Sequence, residues 1–151
     1  MKSLKEFMTR QKLRGNTAKG DAFEQEIADD LLRRGAIVEV TKMNRQQIRT
    51  RGGWRWITKR ADFFTSIDII AFLPHRAPVF FIQATTARGM TAEKMRKIDA
   101  TMKGASPGRE LVVLTRGLDG KTIDGFHRVL SGWAPIVDWS NFLDRAALDA
   151  Q

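Results

Sequence analysis

Two short apolar runs, Ile67–Phe72 and Val79–Ala84, flank a turn that carries Pro74 and Pro78. Runs of this length, rich in Ile, Val and Phe and bounded by turn residues, read as the two strands of a β-hairpin. Successive side chains of a strand point to opposite faces. Asp68, Ile70 and Phe72 therefore share one face, as do Val79, Phe81, Gln83 and Thr85. A hairpin symmetric about His75 and Arg76 sets Asp68 opposite Gln83. Side chains opposed in this way have Cβ atoms about 4.5–5.5 Å apart, close enough to share a ligand. A slip of one residue would break the pairing. An acid and an amide within apolar strands require partners, because burying polar groups unpaired is costly.

The rest of the composition bounds what such a hairpin belongs to. A chain of 151 residues, 42% hydrophobic and 28% charged, suits one globular domain with a real core. With no cysteine, disulfides and thiolate zinc sites are excluded. Two histidines, His75 and His127, argue against a histidine-rich metal site, and surface or packing roles are expected for both. The basic N-terminus lacks the apolar core of a secretory signal, and no apolar run is long enough to span a membrane. The expected location is cytoplasmic, with the DNA. The net charge of +9 is clustered, which favours a polyanionic partner, nucleic acid first.

Residues 1–18 read as a basic arm or short amphipathic helix, and 19–151 as the folded domain. Gly15–Gly20 is expected as a loop, followed by a helix from Asp21 to Arg34 that ends at Gly35. Phe23, Ile27 and Leu31 form its apolar face. Glu24 has two readings: the acid of a capping box with Asp21, or a carboxylate on the margin of the buried face, aimed at the sheet. A strand is expected over Ala36–Val40. Thr41–Ala61 then holds Lys42, Arg45, Arg49, Arg51, Arg55, Lys59 and Arg60 and no acid, with Trp54 and Trp56 on either side of Arg55. Cations interleaved with aromatics suit phosphate contacts and base stacking. The same alternation suits a twisted ribbon whose tryptophans are core. Beyond the hairpin, a helix is expected from Thr91, as N-cap, to Lys103, with Gly104 as terminator. Leu111–Thr115 reads as a buried strand and Thr122–Leu130 as strand or helix. Pro135–Trp139 reads as a last strand, and Asn141–Ala150 as a helix capped by Ser140.

The stretch K-G-D-A-F-E-Q-E-I-A-D-D-L-L-R-R-G-A-I-V-E-V (Lys19–Val40), with Ile67–Phe72 and F-I-Q-A-T (Phe81–Thr85), resembles archaeal-type Holliday-junction resolvases. These belong to the PD-(D/E)XK, or restriction-endonuclease-like, nucleases. The resemblance spans roughly Lys19 to Thr115. It implies an α/β fold, a mixed central sheet flanked by helices in one domain, and a Mg²⁺-dependent endonuclease (Mn²⁺ as substitute) that cuts branched DNA as a homodimer. Glu24 would be the helix acid and Asp68 the metal-ligating aspartate. Asp68, Gln83 and the Ala84 carbonyl would be the protein's metal ligands. Gln83 stands where the family has its second acid, and Thr85 where it has its lysine. In some members that lysine has moved to the following helix, where Lys97, or Lys94, is the counterpart. Lys42, Arg45, Arg49, Arg51, Trp54, Arg55, Lys59 and Arg60 would meet DNA. The two departures leave a second reading, a nuclease-fold DNA-binding protein without catalysis. A third is a basic structural protein with no nucleic-acid role.

Overall fold

The computed structural model describes residues 4–41, 43–60, 63–64, 66–74, 78–103 and 108–149. Helix α1 (Leu4–Arg33) leads into β1 (Ile37–Val40), and a ribbon of β2 (Met43–Thr50) and β3 (Gly53–Arg60) follows. Strands β4 (Ile69–Phe72) and β5 (Val79–Thr85) form the expected hairpin. A 3₁₀ turn at Arg88–Met90 opens α2 (Thr91–Met102), and then come β6 (Arg109–Arg116), β7 (Ile123–Val129), β8 (Gly132–Ile136) and α3 (Trp139–Asp149). The fold is mixed α/β. Its six-stranded sheet runs β1-β4-β5-β6-β7-β8, with β2-β3 as a separate two-stranded sheet. Strands β5 and β6 are parallel, joined through α2, and the other neighbours are antiparallel.

Period-2 alternation sorts the strands between two apolar layers. On one face Phe23, Ile27 and Leu31 of α1 and Trp139 and Leu143 of α3 pack on Ile69, Phe80, Ile82, Val112 and Leu114. On the other, Ile98 and Met102 of α2 pack on Ile67, Leu111 and Val113. Each fully buried Leu, Ile or Phe contributes about 1.5–3 kcal/mol, so the helices are held by these layers rather than by propensity. Gly125 in β7 makes one close approach possible: a Cβ there would lie 1.9 Å from the Val113 carbonyl oxygen, at φ +155°. Among the described residues no helix is long and apolar enough to cross a membrane.

Several boundaries differ from the sequence expectation. Helix α1 runs unbroken through Gly15–Gly20, so no loop separates residues 4–18 from the following helix, and Asp21 starts nothing. A mid-helix glycine costs only about 1 kcal/mol against alanine, less than the anchoring of Phe23, Ile27 and Leu31 returns. Glu24 is thus interior to the helix, and the capping-box reading falls. Thr91 is the first helical residue of α2 rather than its cap, and Lys103 takes the left-handed conformation (φ 54°) that closes the helix; Gly104 lies outside the described residues. Thr122–Leu130 resolves as β7. The last strand ends at Ile136, and Trp139 opens α3 instead. Its ring packs edge-on to Phe80 at 5.8 Å. Asp138 rather than Ser140 caps α3, accepting from the Asn141 N–H at 3.2 Å.

Candidate active site

The observed β4–β5 register pairs Ile69 with Ile82 and Ile70 with Phe81. That register is the one expected of the symmetric hairpin; it ends at Ile69, and beyond it Asp68 meets Gln83 through its side chain. Ile67 belongs to the α2-side layer and Ile69 to the α1-side layer. Residues two apart in a regular strand share a face, so the chain is bent at Asp68. The bend is fixed on both flanks: Asp68 N–H donates to the Ile82 carbonyl at 2.9 Å, and Thr41 N–H donates to the Asp68 carbonyl at 2.8 Å. It delivers the Asp68 carboxylate to Gln83, whose Nε2 donates to Asp68 Oδ2 at 2.5 Å. The Ala84 N–H donates to the same oxygen at 2.9 Å. Gln83 Nε2 also lies 3.3 Å from the Ala84 carbonyl oxygen. One amide nitrogen thus stands where a carboxylate oxygen and a carbonyl oxygen converge. Asp68 is 1% exposed and Gln83 4%.

Glu24, 5% exposed, is brought to the same end of the sheet by α1. Its neighbours on the helix show this. Arg116, the last residue of β6, lies over the Phe23 ring at 4.8 Å and donates to Glu26 at 3.0 Å. That hydrogen bond holds the Glu26 carboxyl below its ordinary pKa. The end of β6 adjoins the end of β5, where Ala84 pairs with Leu114 and Thr85 with Thr115. Thr85 itself is used locally, accepting from the Ala87 N–H at 3.2 Å.

Helix α2 covers the face that Gln83 shares with Phe81. Its rotation is fixed by Asp99, which accepts from Arg128 at 2.8 Å and from the Trp133 indole at 3.0 Å. On the other side the Thr101 hydroxyl meets the Ser66 hydroxyl at 2.7 Å, two residues before Asp68. Helical spacing places Lys94 and Lys97, seven and four residues before Thr101, on that stripe. Lys94 is half-buried and Lys97 exposed.

The basic stretch forms the β2–β3 ribbon, in register Arg49↔Trp54, Gln47↔Trp56 and Arg45↔Thr58. Cross-strand partners share a face. Gln47, Arg49 and Trp54 therefore share one face, and Arg55 falls on the other. Trp54 is 64% exposed, and Arg49, Arg51 and Arg55 around the ribbon tip are exposed with it. The core reading of Trp54 is thus excluded. Lys42 and the side chains of Arg45, Trp56, Lys59 and Arg60 lie outside the described residues, as does His75. His127 packs on Phe142 with ring centroids 4.8 Å apart and pairs with Glu110 at 2.9 Å.

Two features escaped sequence reasoning. Arg88 donates to both Asp124 carboxylate oxygens at 3.0 Å and to the Arg116 carbonyl at 2.7 Å, beside a cleft of about 560 Å³. Thr115, 3% exposed, donates to the same Asp124. Nothing in the local pattern of Thr122–Leu130 marks Asp124 as a partner for residues so distant in sequence. The other is Thr41, legible only as the start of the basic run, which the sheet sets beside Asp68. No family model, curated protein or solved structure matches the chain.

Proposed function

We propose that this chain is a metal-dependent DNA endonuclease of the restriction-endonuclease-like class, which cuts branched DNA as a homodimer. The observation that carries the reading is the Asp68–Gln83–Ala84 contact, formed just beyond the β4–β5 register where a helix carrying Glu24 meets the sheet. The order of elements agrees: a helix, three antiparallel strands β1-β4-β5, then a helix and a parallel strand β6. A ribbon with exposed Arg49, Arg51, Trp54 and Arg55 is inserted directly before the Asp68 bend and supplies a surface for nucleic acid.

The donor set fits a hard cation. Asp68 Oδ2 and the Ala84 carbonyl already converge on one N–H of Gln83. Turning the Gln83 amide over would present Oε1 at that point instead. One carboxylate and two neutral oxygens suit Mg²⁺, which keeps several waters and takes few protein ligands. Among the described residues no three Asp, Glu or His side chains cluster, so affinity would depend on phosphate oxygens joining the set. Bound there, Mg²⁺ supplies a water of lowered pKa and neutralises charge developing on the phosphate. Glu24 orients the attacking water by accepting its hydrogen bond. A lysine of α2, Lys94 or Lys97, stabilises the phosphoryl oxygens. The attacking water would give its proton to Glu24 as its oxygen bonds to phosphorus, the P–O bond to the leaving sugar would break, and that oxygen would take up a proton from a second water. Two matched cuts at a four-way junction require a two-fold dimer.

The test is cleavage of a labelled four-way junction against linear duplex and single strand, with Mg²⁺, Mn²⁺ or chelator. Paired nicks on the junction in metal alone are expected. Tight, salt-sensitive binding without cutting in any metal would instead establish the second reading, an inactive nuclease-fold DNA binder. The observation in favour of that reading is that neutral Gln83 already donates to Asp68, with no second carboxylate or lysine on β5.

A further inference from the structure

Thr41 follows β1 directly and hydrogen-bonds the Asp68 carbonyl through its own N–H at 2.8 Å. The Val40↔Ile69 register continues by one step to set Thr41 beside Asp68, and the Asp68 side chain in turn meets Gln83. Val38 and Val40 pack against the α1-side layer. Alternation therefore assigns Thr41 to the opposite face, the one that Gln83 shares with Phe81. Thr41 Oγ1 is buried and has no hydrogen-bond partner among the described residues. The polar groups beside it differ, since Asp68 and Gln83 bond each other. So does Thr115, the buried threonine at this end of the sheet, which is bonded to Asp124. Folds keep few buried hydroxyls unbonded, and one beside a candidate site requires an explanation.

We propose that the Thr41 hydroxyl is a further substrate-contacting group, donating to a non-bridging oxygen of the phosphate cut at Asp68. This rests on the nuclease reading above. Position supports it: Thr41 lies between Asp68 and the root of the ribbon at Met43. Chemistry supports it as well. A hydroxyl is a neutral donor, able to bond a phosphate oxygen without repelling a cation beside Asp68. Such a bond, made only once the phosphate is seated, leaves the free protein with the unpaired hydroxyl that is observed.

The experiment compares wild type, Thr41→Val (same shape, no hydroxyl) and Thr41→Ser (hydroxyl kept). Each full-length protein is assayed for single-turnover junction cleavage in Mg²⁺, junction binding in Ca²⁺ and thermal midpoint. Thr41→Val is expected to melt at or above the wild-type temperature and bind as tightly. Its rate at saturating DNA should fall by about tenfold or more, in the range of a lost transition-state donor. Thr41→Ser should keep the wild-type rate. If Thr41→Val cuts as fast as wild type, or melts lower because the hydroxyl has a partner within the fold, the proposal is overturned while the nuclease reading stands. A folded wild type that cuts no DNA overturns the nuclease reading, and this inference with it.

Discussion

Replacing Asp68 by asparagine separates the chemistry of its carboxylate from its place in the fold. Two hydrogen bonds to the carboxylate converge on Oδ2, from Gln83 Nε2 and from the Ala84 N–H. Alanine would strand two buried donors at about 1–3 kcal/mol each. Gln83 keeps the Ala84 carbonyl as an alternative at 3.3 Å, so the main-chain N–H of Ala84 bears most of that cost. The total, from about 1–3 kcal/mol with Gln83 re-paired to about 2–6 kcal/mol with both donors stranded, is a large share of the roughly 5–15 kcal/mol that holds a domain together. Loss of activity in Asp68→Ala would then be confounded with loss of folding. Asparagine with its oxygen at the Oδ2 position keeps these two bonds and forfeits their charge assistance, about 1–3 kcal/mol. Chemical denaturation should place Asp68→Asn between wild type and Asp68→Ala. In the junction assay Asp68→Asn should lose at least about 10²–10³-fold in cleavage while binding the junction in Ca²⁺ as wild type does. Cleavage by folded Asp68→Asn within tenfold of wild type would refute Asp68 as the metal-ligating centre. Equal stability of the two variants would refute the account of its buried acceptor.

Other expectations follow from single features. Gly125→Ala should fail to fold, or lose more than about 3 kcal/mol in denaturant titration, because its Cβ would overlap the Val113 carbonyl; a stable variant would mean that β7 does not approach β6 as described. Trp54→Ala, at a 64% exposed position, should leave the melting temperature unchanged but weaken binding to junction or gapped DNA by about 1–3 kcal/mol of stacking, and equal affinities would rule out a stacking role. Arg49→Gln should lower the slope of log affinity against log salt by about one phosphate contact. Asp119 is held down to about 2, first by the Thr122 hydroxyl and then by the Lys121 and Thr122 N–H groups. A folded-state pKa below the unfolded value of 3.8 contributes stability that is complete above the unfolded value and lost as pH falls through the folded one. Carboxyl NMR should therefore titrate Asp119 near 2, and Asp119→Asn should flatten the acid limb of the stability profile; a midpoint near 3.8 would contradict the turn geometry.

Much of the candidate site was legible because it lies on one hairpin. The β4–β5 register follows from two apolar runs placed evenly about a short turn, and Asp68 and Gln83 meet as that symmetry requires. The alternation Trp54-Arg55-Trp56 likewise reads as a ribbon, and a ribbon forms. What stayed hidden was long-range or compensated. Two glycines looked like a break in α1, but a packed apolar face outweighs their helix cost. Thr122–Leu130 was ambiguous because Gly125 weakens its strand pattern, while Gly125 is the residue that lets β7 approach β6. Trp139 read as the end of a strand because nothing local shows that its ring fills the core beside Phe80 from a helix.

Side-chain alternation with period two is a property of neighbouring residues, so the polar pair on the hairpin and the basic, aromatic face of the ribbon could be read from the chain alone. The partners of that pair could not. Thr41 reaches Asp68 only because β1 pairs with β4 across the whole excursion of the ribbon. Glu24 reaches the same end of the sheet only because Phe23 and Glu26 are tied to Arg116, ninety residues on from Glu26. Such contacts close long loops, whose formation depends on the shape of the completed apolar layers and leaves no local pattern to read.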